Sequence, residues 1–269
     1  MNRLDPIDHV TLATQLASLE AQVRQRPADA DLRAALFQLL ALHGDWARAA
    51  AQLETCALLQ PQAGGLQSAY AGALAAEQQR HAVFAGAAVP QLAHPQAWLQ
   101  CLIDALREDA RGEALAAATL RSQARAAAPM SPCTLTLADD TQHRGDWLAD
   151  GDSRLGPVLE FISSSHYGWL PFCALRSVRL APPVALCDLI WQHAEIELVD
   201  GSRQVGFVPT RYPSTTPLDD AQLLARRTDW AGLGDDDYYG IGQRMWLTEH
   251  DEYAQLDLRE LVFAEAHDA

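Results

Sequence analysis

The chain contains no lysine; all 20 basic residues among its 269 are arginine. Together with an excess of alanine, that absence reads as the codon bias of a GC-rich genome and carries no functional weight. Positive charge as a whole is scarce. Thirty-five acidic residues leave a formal net charge of −15 with no basic stripe to offset it, so the chain would repel a phosphate backbone and nucleic acid is excluded as a partner. No apolar run approaches the ~18 residues of a membrane span, and the opening MNRLDPIDHVTL lacks the apolar core of a secretory signal. Cys56, Cys101, Cys133, Cys173 and Cys187 form no CxxC pair, and their odd number fits a reducing compartment. A cytoplasmic protein is expected.

Signatures of chemistry are missing as well. His143, His166, His193 and His250 lie far apart, with no HxxxH or HExxH spacing that would set two ligands on one helix face. Ser163, Ser164 and Ser165 make a polar run without the GxSxG elbow of a hydrolase. The GxG at Gly240–Met245 has no third glycine, so it reads as a tight turn entering a strand rather than a dinucleotide loop. Asp235, Asp236 and Asp237 lack the DxDxDG series and twelfth-position glutamate of a calcium loop. No catalytic residue, metal or cofactor is expected.

What is present is a comb of prolines. Pro27, Pro61, Pro95 and Pro129 are evenly spaced by 34 residues, the period of a tetratricopeptide unit, and the comb then stops. Gly44 and Gly112 each follow a comb proline by 17 residues, where the turn between paired helices falls. Apolar positions Leu12, Leu16, Leu19 and Val23 mark a first helix. A second runs from Leu32 to His43, capped by Asp29 or Asp31, and a third from Trp46 to Leu59. The middle period is degraded: a helix from Leu66 to Ala85 has Gln78 where a turn glycine belongs, and AGAAVPQLAHP reads as an irregular connection. Helices from Gln96 to Asp109 and Ala114 to Ala128 complete the series.

Beyond Pro129 the apolar period changes from about 3.6 to 2. PVLEFISS, GWLPF and SVRLA read as strands, PVALCDLIW as a short helix, and AEIELVDGSRQVGFVPTR as a hairpin turning at Asp200–Gly201. LDDAQLLARRTDW reads as a helix capped by Asp219 or Asp220, and the segment from Gly240 to Phe263 as one or two further strands. Composition shifts at the same place: 35 alanines fall in residues 1–129 and 13 in 130–269, and the net charge changes from −2 to −13. The expected architecture is a TPR-like α-helical domain over 1–129, then an α+β domain with a largely antiparallel sheet over 130–269.

Two sets of residues stand out as candidate sites. Stacked helix pairs build grooves for other proteins, and Arg33, Phe37 and Leu40 on the first helix of the best-formed unit are placed to line one. In the second half, DGDSRLGP, VPTRYP and YYGIGQRM combine turn residues with arginine and aromatics. Arg154, Arg211 and Arg244, with Tyr212, could assemble a fork-shaped receptor for a carboxylate or phosphate, which would make the chain a small-ligand or anion-binding sensor or enzyme. The alternative is internal pairing with Asp150, Asp152 or Asp229.

WLADGDSRLGPVLE, VPTRYP, LARRTDW and GIGQRM, in that order, resemble the ImpE/SciE family of accessory proteins of bacterial type VI secretion systems, and the helical stretch RPADADLRAALFQLLALHGDWARAAAQLETCALLQP resembles that family's opening helices. The resemblance spans nearly the whole chain and departs chiefly at AGAAVPQLAHP. It implies a helical first domain, an α/β second domain with an antiparallel sheet, and a cytoplasmic, non-enzymatic role. It also implies a partner: the small contractile-sheath subunit (TssB/VipA type), recognised through its N-terminal helix, with an indirect link to the ATPase ClpV that recycles the sheath. It supplies no catalytic residues.

Overall fold

The computed structural model describes residues 11–234 and 236–264. The chain opens with α1 (Leu12–Gln25), α2 (Ala30–Leu42), α3 (Trp46–Leu59) and α4 (Gly64–Phe84). After a short β1 (Gln91–Leu92), α5 (Ala97–Arg111) and α6 (Ala114–Ala127) complete the helical part. Local chemistry sets these boundaries. Asp29 caps α2 by accepting from the Leu32 N–H, and Asp45 caps α3 by accepting from Arg48. Gly44 and Gly112 adopt φ of +75° and +81°, and the following N–H groups of Asp45 and Glu113 reach back to Leu40 O and Glu108 O, closing both helices as αL turns. The comb of prolines thus brackets α2–α3 and α5–α6. In the middle period Gln78 offers no such turn, and α4 runs straight through it.

The connection after α4 is more than an irregular loop. Its Gln91 and Leu92 pair in parallel with Gly168 and Trp169 of β6 (His166–Pro171), stitching the helical part to the sheet. The remaining elements follow the change of period at Pro129. They are β2 (Cys133–Leu137), β3 (Gln142–Gly145), β4 (Ala149–Asp150), β5 (Val158–Ser163), β7 (Leu175–Leu180), β8 (Trp191–Leu198) and β9 (Arg203–Pro209). Then come a one-turn α7 (Asp220–Leu223), β10 (Thr228–Gly232), β11 (Tyr238–Gly242), β12 (Met245–Leu247), β13 (Glu252–Ala254) and β14 (Leu258–Phe263). Asp219, not Asp220, caps α7, and the TDW at the end of the segment is strand rather than helix. PVALCDLIW forms only a 3-10 turn at Leu186–Leu189, and the last segment holds four strands where one or two were expected.

Among the described residues, nine strands form one sheet in the order β1-β6-β5-β9-β8-β7-β14-β2-β3, antiparallel except at β1. The β8–β9 hairpin turns at Gly201, φ +81°. Smaller sheets pair β10 with β11 and set β12 between β13 and β4.

Both faces of the central strands are buried, and side-chain parity assigns each residue to a face. Val158 and Ile162 of β5, Tyr167 and Trp169 of β6, Trp191 of β8 and Phe207 of β9 join the helical residues Phe37, Leu40, Tyr70 and Leu74 in one apolar cluster. Leu159, Phe161, Leu170, Ile196 and Val208 face the other way, into a second cluster with Trp246 and Phe263. Parity therefore points Glu160 at the helices. α4 lies across this face. Gly72 lets it approach the β5–β6 turn, since a Cβ there would meet Ser165 Oγ at 2.9 Å, and Gln79 donates to Ser165 O at 2.9 Å.

Candidate functional site: a buried charge network and the grooves beside it

Where α4 crosses the sheet, five buried charged residues meet. Glu77 and Arg80 stand one turn apart on α4, and Glu160 rises from β5 with no exposed surface. Arg80 grips Glu160 with Nε at 2.7 Å and Nη2 at 3.0 Å, and Nη2 also donates to Arg211 O at 2.8 Å. Tyr167 donates its hydroxyl to Glu160 at 2.5 Å, and Trp191 Nε1 donates to Glu77 at 2.9 Å. Arg244, fully buried after β11, bridges Glu160 and Asp150 and donates through Nε to Pro209 O at 3.0 Å. Burial alone would raise the Glu160 pKa, but the guanidiniums of Arg80 and Arg244 prevail and hold it at about 2. This network pins α4 to the sheet.

The three loop arginines do not form a shared receptor. Arg154 pairs with Asp152 at 2.9 and 2.6 Å, with its guanidinium over the rings of Phe84 and Tyr239. Arg244 is committed to Asp150 and Glu160. Tyr212 is buried and donates its hydroxyl to Asp150 at 2.9 Å. Arg211 differs: among the described residues its guanidinium donates only to the carbonyls of Leu42 and Leu223. Asp229, the third expected partner, binds Arg227 instead.

The residues expected to line a helical groove sit elsewhere. Phe37 and Leu40 are core residues, because α2 is enclosed by its neighbours and buries Leu36, Phe37, Leu39, Leu40, Ala41 and Leu42 all round. Arg33 folds back on Pro27 O and Gln52. The open surface belongs to α3 and α4. The turn at Pro61–Ala63 returns α4 along α3, and between them runs a trough of about 550 Å³ walled by Ala47, Ala50, Ala57, Ala71 and Ala75, with Trp46 also lining it. Gln67 Oε1 is buried there without a donor among the described residues, and Leu58 of α3 and Leu66 of α4 are exposed. Trp46 also lines a second cavity of about 320 Å³, which reaches Arg211.

In the aspartate run at 235–237, Asp237 binds Arg121 at 2.5 Å and Arg125 at 2.8 Å, and Asp235 lies outside the described residues. Among the described residues no three His, Cys, Asp or Glu side chains are placed to hold a metal ion. Ser164 and Ser165 form the β5–β6 turn, with φ of +48° and +69°. Sequence reasoning missed Glu77, Arg80 and Glu160. One signal was available: a glutamate inside the apolar strand VLEFIS demands a buried cation.

Comparison with known proteins places these features in context. Residues 142–262, which include Asp150, Glu160, Arg211 and Arg244, match the family model described as ImpE protein. The type VI secretion system accessory component TagJ of Pseudomonas aeruginosa is 43% identical over 250 residues, covering 92% of this chain and 86% of that relative. The crystal structure of protein VPA1032 from Vibrio parahaemolyticus matches with a TM-score of 0.83, covering 94% of each chain at 24% identity, a likeness of fold.

Proposed function

The chain belongs to the ImpE family, and from that premise we propose that it is a non-enzymatic, cytoplasmic accessory protein of a bacterial type VI secretion system. It acts as an adaptor: it captures the N-terminal amphipathic helix of the small sheath subunit (TssB/VipA type) and assists sheath assembly or ClpV-dependent turnover. The observation that carries this reading is the trough between α3 and α4. Its alanine walls let a helix about 10 Å across approach closely, and apolar anchors at i, i+3 and i+4 can enter it against Leu53 and Leu74, which also line it. A donor on the incoming helix would satisfy Gln67 Oε1.

The charge network supports the same reading. By fixing α4 on the sheet it holds one wall of the trough in place before binding, which lowers the ordering cost of association. Each leucine-sized anchor buried there contributes about 1.5–3 kcal/mol. Substituting the exposed Ala71 by tryptophan fills the trough without touching the core. Titration calorimetry with the sheath subunit should then show binding weakened at least tenfold, with the thermal midpoint unchanged. Unaltered affinity in a folded A71W protein would reject the trough as the docking surface.

A further inference from the structure

Arg80, Arg121, Arg211 and Arg244 are buried arginines, and three of them are bonded to carboxylates. Arg211, 7% exposed, has none among the described residues. It spans two helix ends instead. Nη1 and Nη2 both donate to Leu42 O at 3.1 Å, the last carbonyl of α2, and Nη1 also donates to Leu223 O at 2.9 Å, the last of α7. Helix C-terminal carbonyls carry partial negative charge that offsets a cation only in part. Burial and the nearby Arg80 lower the Arg211 pKa to about 10, against the pull of Glu77.

Donor geometry shows which edge remains. A guanidinium has five N–H groups in a fixed fork. Two converge on Leu42 O and a third takes Leu223 O, which leaves Nε–H and the second Nη2–H unpaired among the described residues. Those two point along one edge, the edge that grips an oxyanion with two parallel bonds. Arg211 lines the cavity of about 320 Å³ with Trp46, His43, His81, Ser214 and Thr216. His43 Nε2 is also buried there without a partner among the described residues. Glu77 lines the same cavity but is taken up by Trp191 Nε1 and Arg80.

We propose that this cavity is a binding site for a small oxyanion, a carboxylate or phosphate group held by the free Nε/Nη2 edge of Arg211. The inference stands apart from the adaptor reading and does not depend on the trough. Inorganic phosphate and acetate are the probes, each titrated into the full-length protein at ionic strength held constant with chloride. At least one should bind saturably, in the ~1–10 mM range that a single charge-assisted bidentate pair supports, and raise the thermal midpoint. Whichever binds identifies the class of ligand. In the wild-type protein the Arg211 Nε–H resonance should shift along the same binding curve. Arg211→Lys keeps the charge but not the fork and should weaken binding about tenfold; if that variant does not fold, the resonance decides. Absence of saturation by both anions, or saturation without movement of the Arg211 signal, would overturn the proposal.

Discussion

Replacing Glu160 by glutamine keeps the shape of the side chain and removes the charge that two buried guanidiniums share. Arg80 and Arg244 would remain in place, each 4% exposed or less, facing a neutral amide. Breaking a buried pair by deleting one partner costs about 3–5 kcal/mol, mostly because the other charge is stranded. The pKa provides a second route to the magnitude. Glu160 is depressed to about 2 from an ordinary value of 4.5, equivalent to about 3 kcal/mol of native-state stability at neutral pH. Because the folded pKa lies below the unfolded one, this stability is present above pH 4.5 and lost as pH falls toward 2. Urea denaturation followed by circular dichroism should show E160Q destabilised by about 3 kcal/mol at pH 7. For a chain of this length the thermal midpoint should fall on the order of 10 °C. The gap between wild type and variant should narrow as pH drops through 4.5, since protonation gives the wild type the same neutral group. A loss below ~1 kcal/mol at pH 7, or a gap independent of pH, would refute the claim that this carboxylate holds α4 to the sheet.

Two further outcomes test local features. Gly44→Ala puts a Cβ on a residue at φ +75°; its nearest neighbour would be the Trp46 ring at an ordinary contact distance of 3.7 Å, so the cost is backbone strain, about 1 kcal/mol in urea denaturation. Burial pushes the Cys133 thiol up to about 12, so in the native protein at pH 8 it should react with a thiol reagent far more slowly than in denaturant, as read by peptide mass mapping.

Features set by near neighbours were legible in the sequence. Asp29, Gly44 and Gly112 act within a turn or two of themselves, and the structure has caps and αL turns at all three. The hairpin at Gly201 is equally local. The strand β1 was not legible, because two residues carry no period; pairing with Gly168 and Trp169 of β6 makes them a strand, and a Cβ at Gly168 would meet Gln91 O at 2.7 Å. The helix α2 misled for a different reason. LFQLLAL is apolar on every side, the pattern of an enclosed helix, so Phe37 and Leu40 belong to the core and not to an open face. For the network, Glu160 announced a buried charge but not its partner, since Arg80 lies 80 residues away and only packing of α4 on β5 brings the two together.

The account rests most on where the partner helix lies. A photo-crosslinking residue at Ala75 in the trough, and another at Val205 on the exposed outer face of β9, would be compared in the full-length protein with the sheath subunit. The account predicts crosslinks from position 75 that map to the subunit's N-terminal helix and none from position 205. Crosslinks from position 205 alone would contradict it.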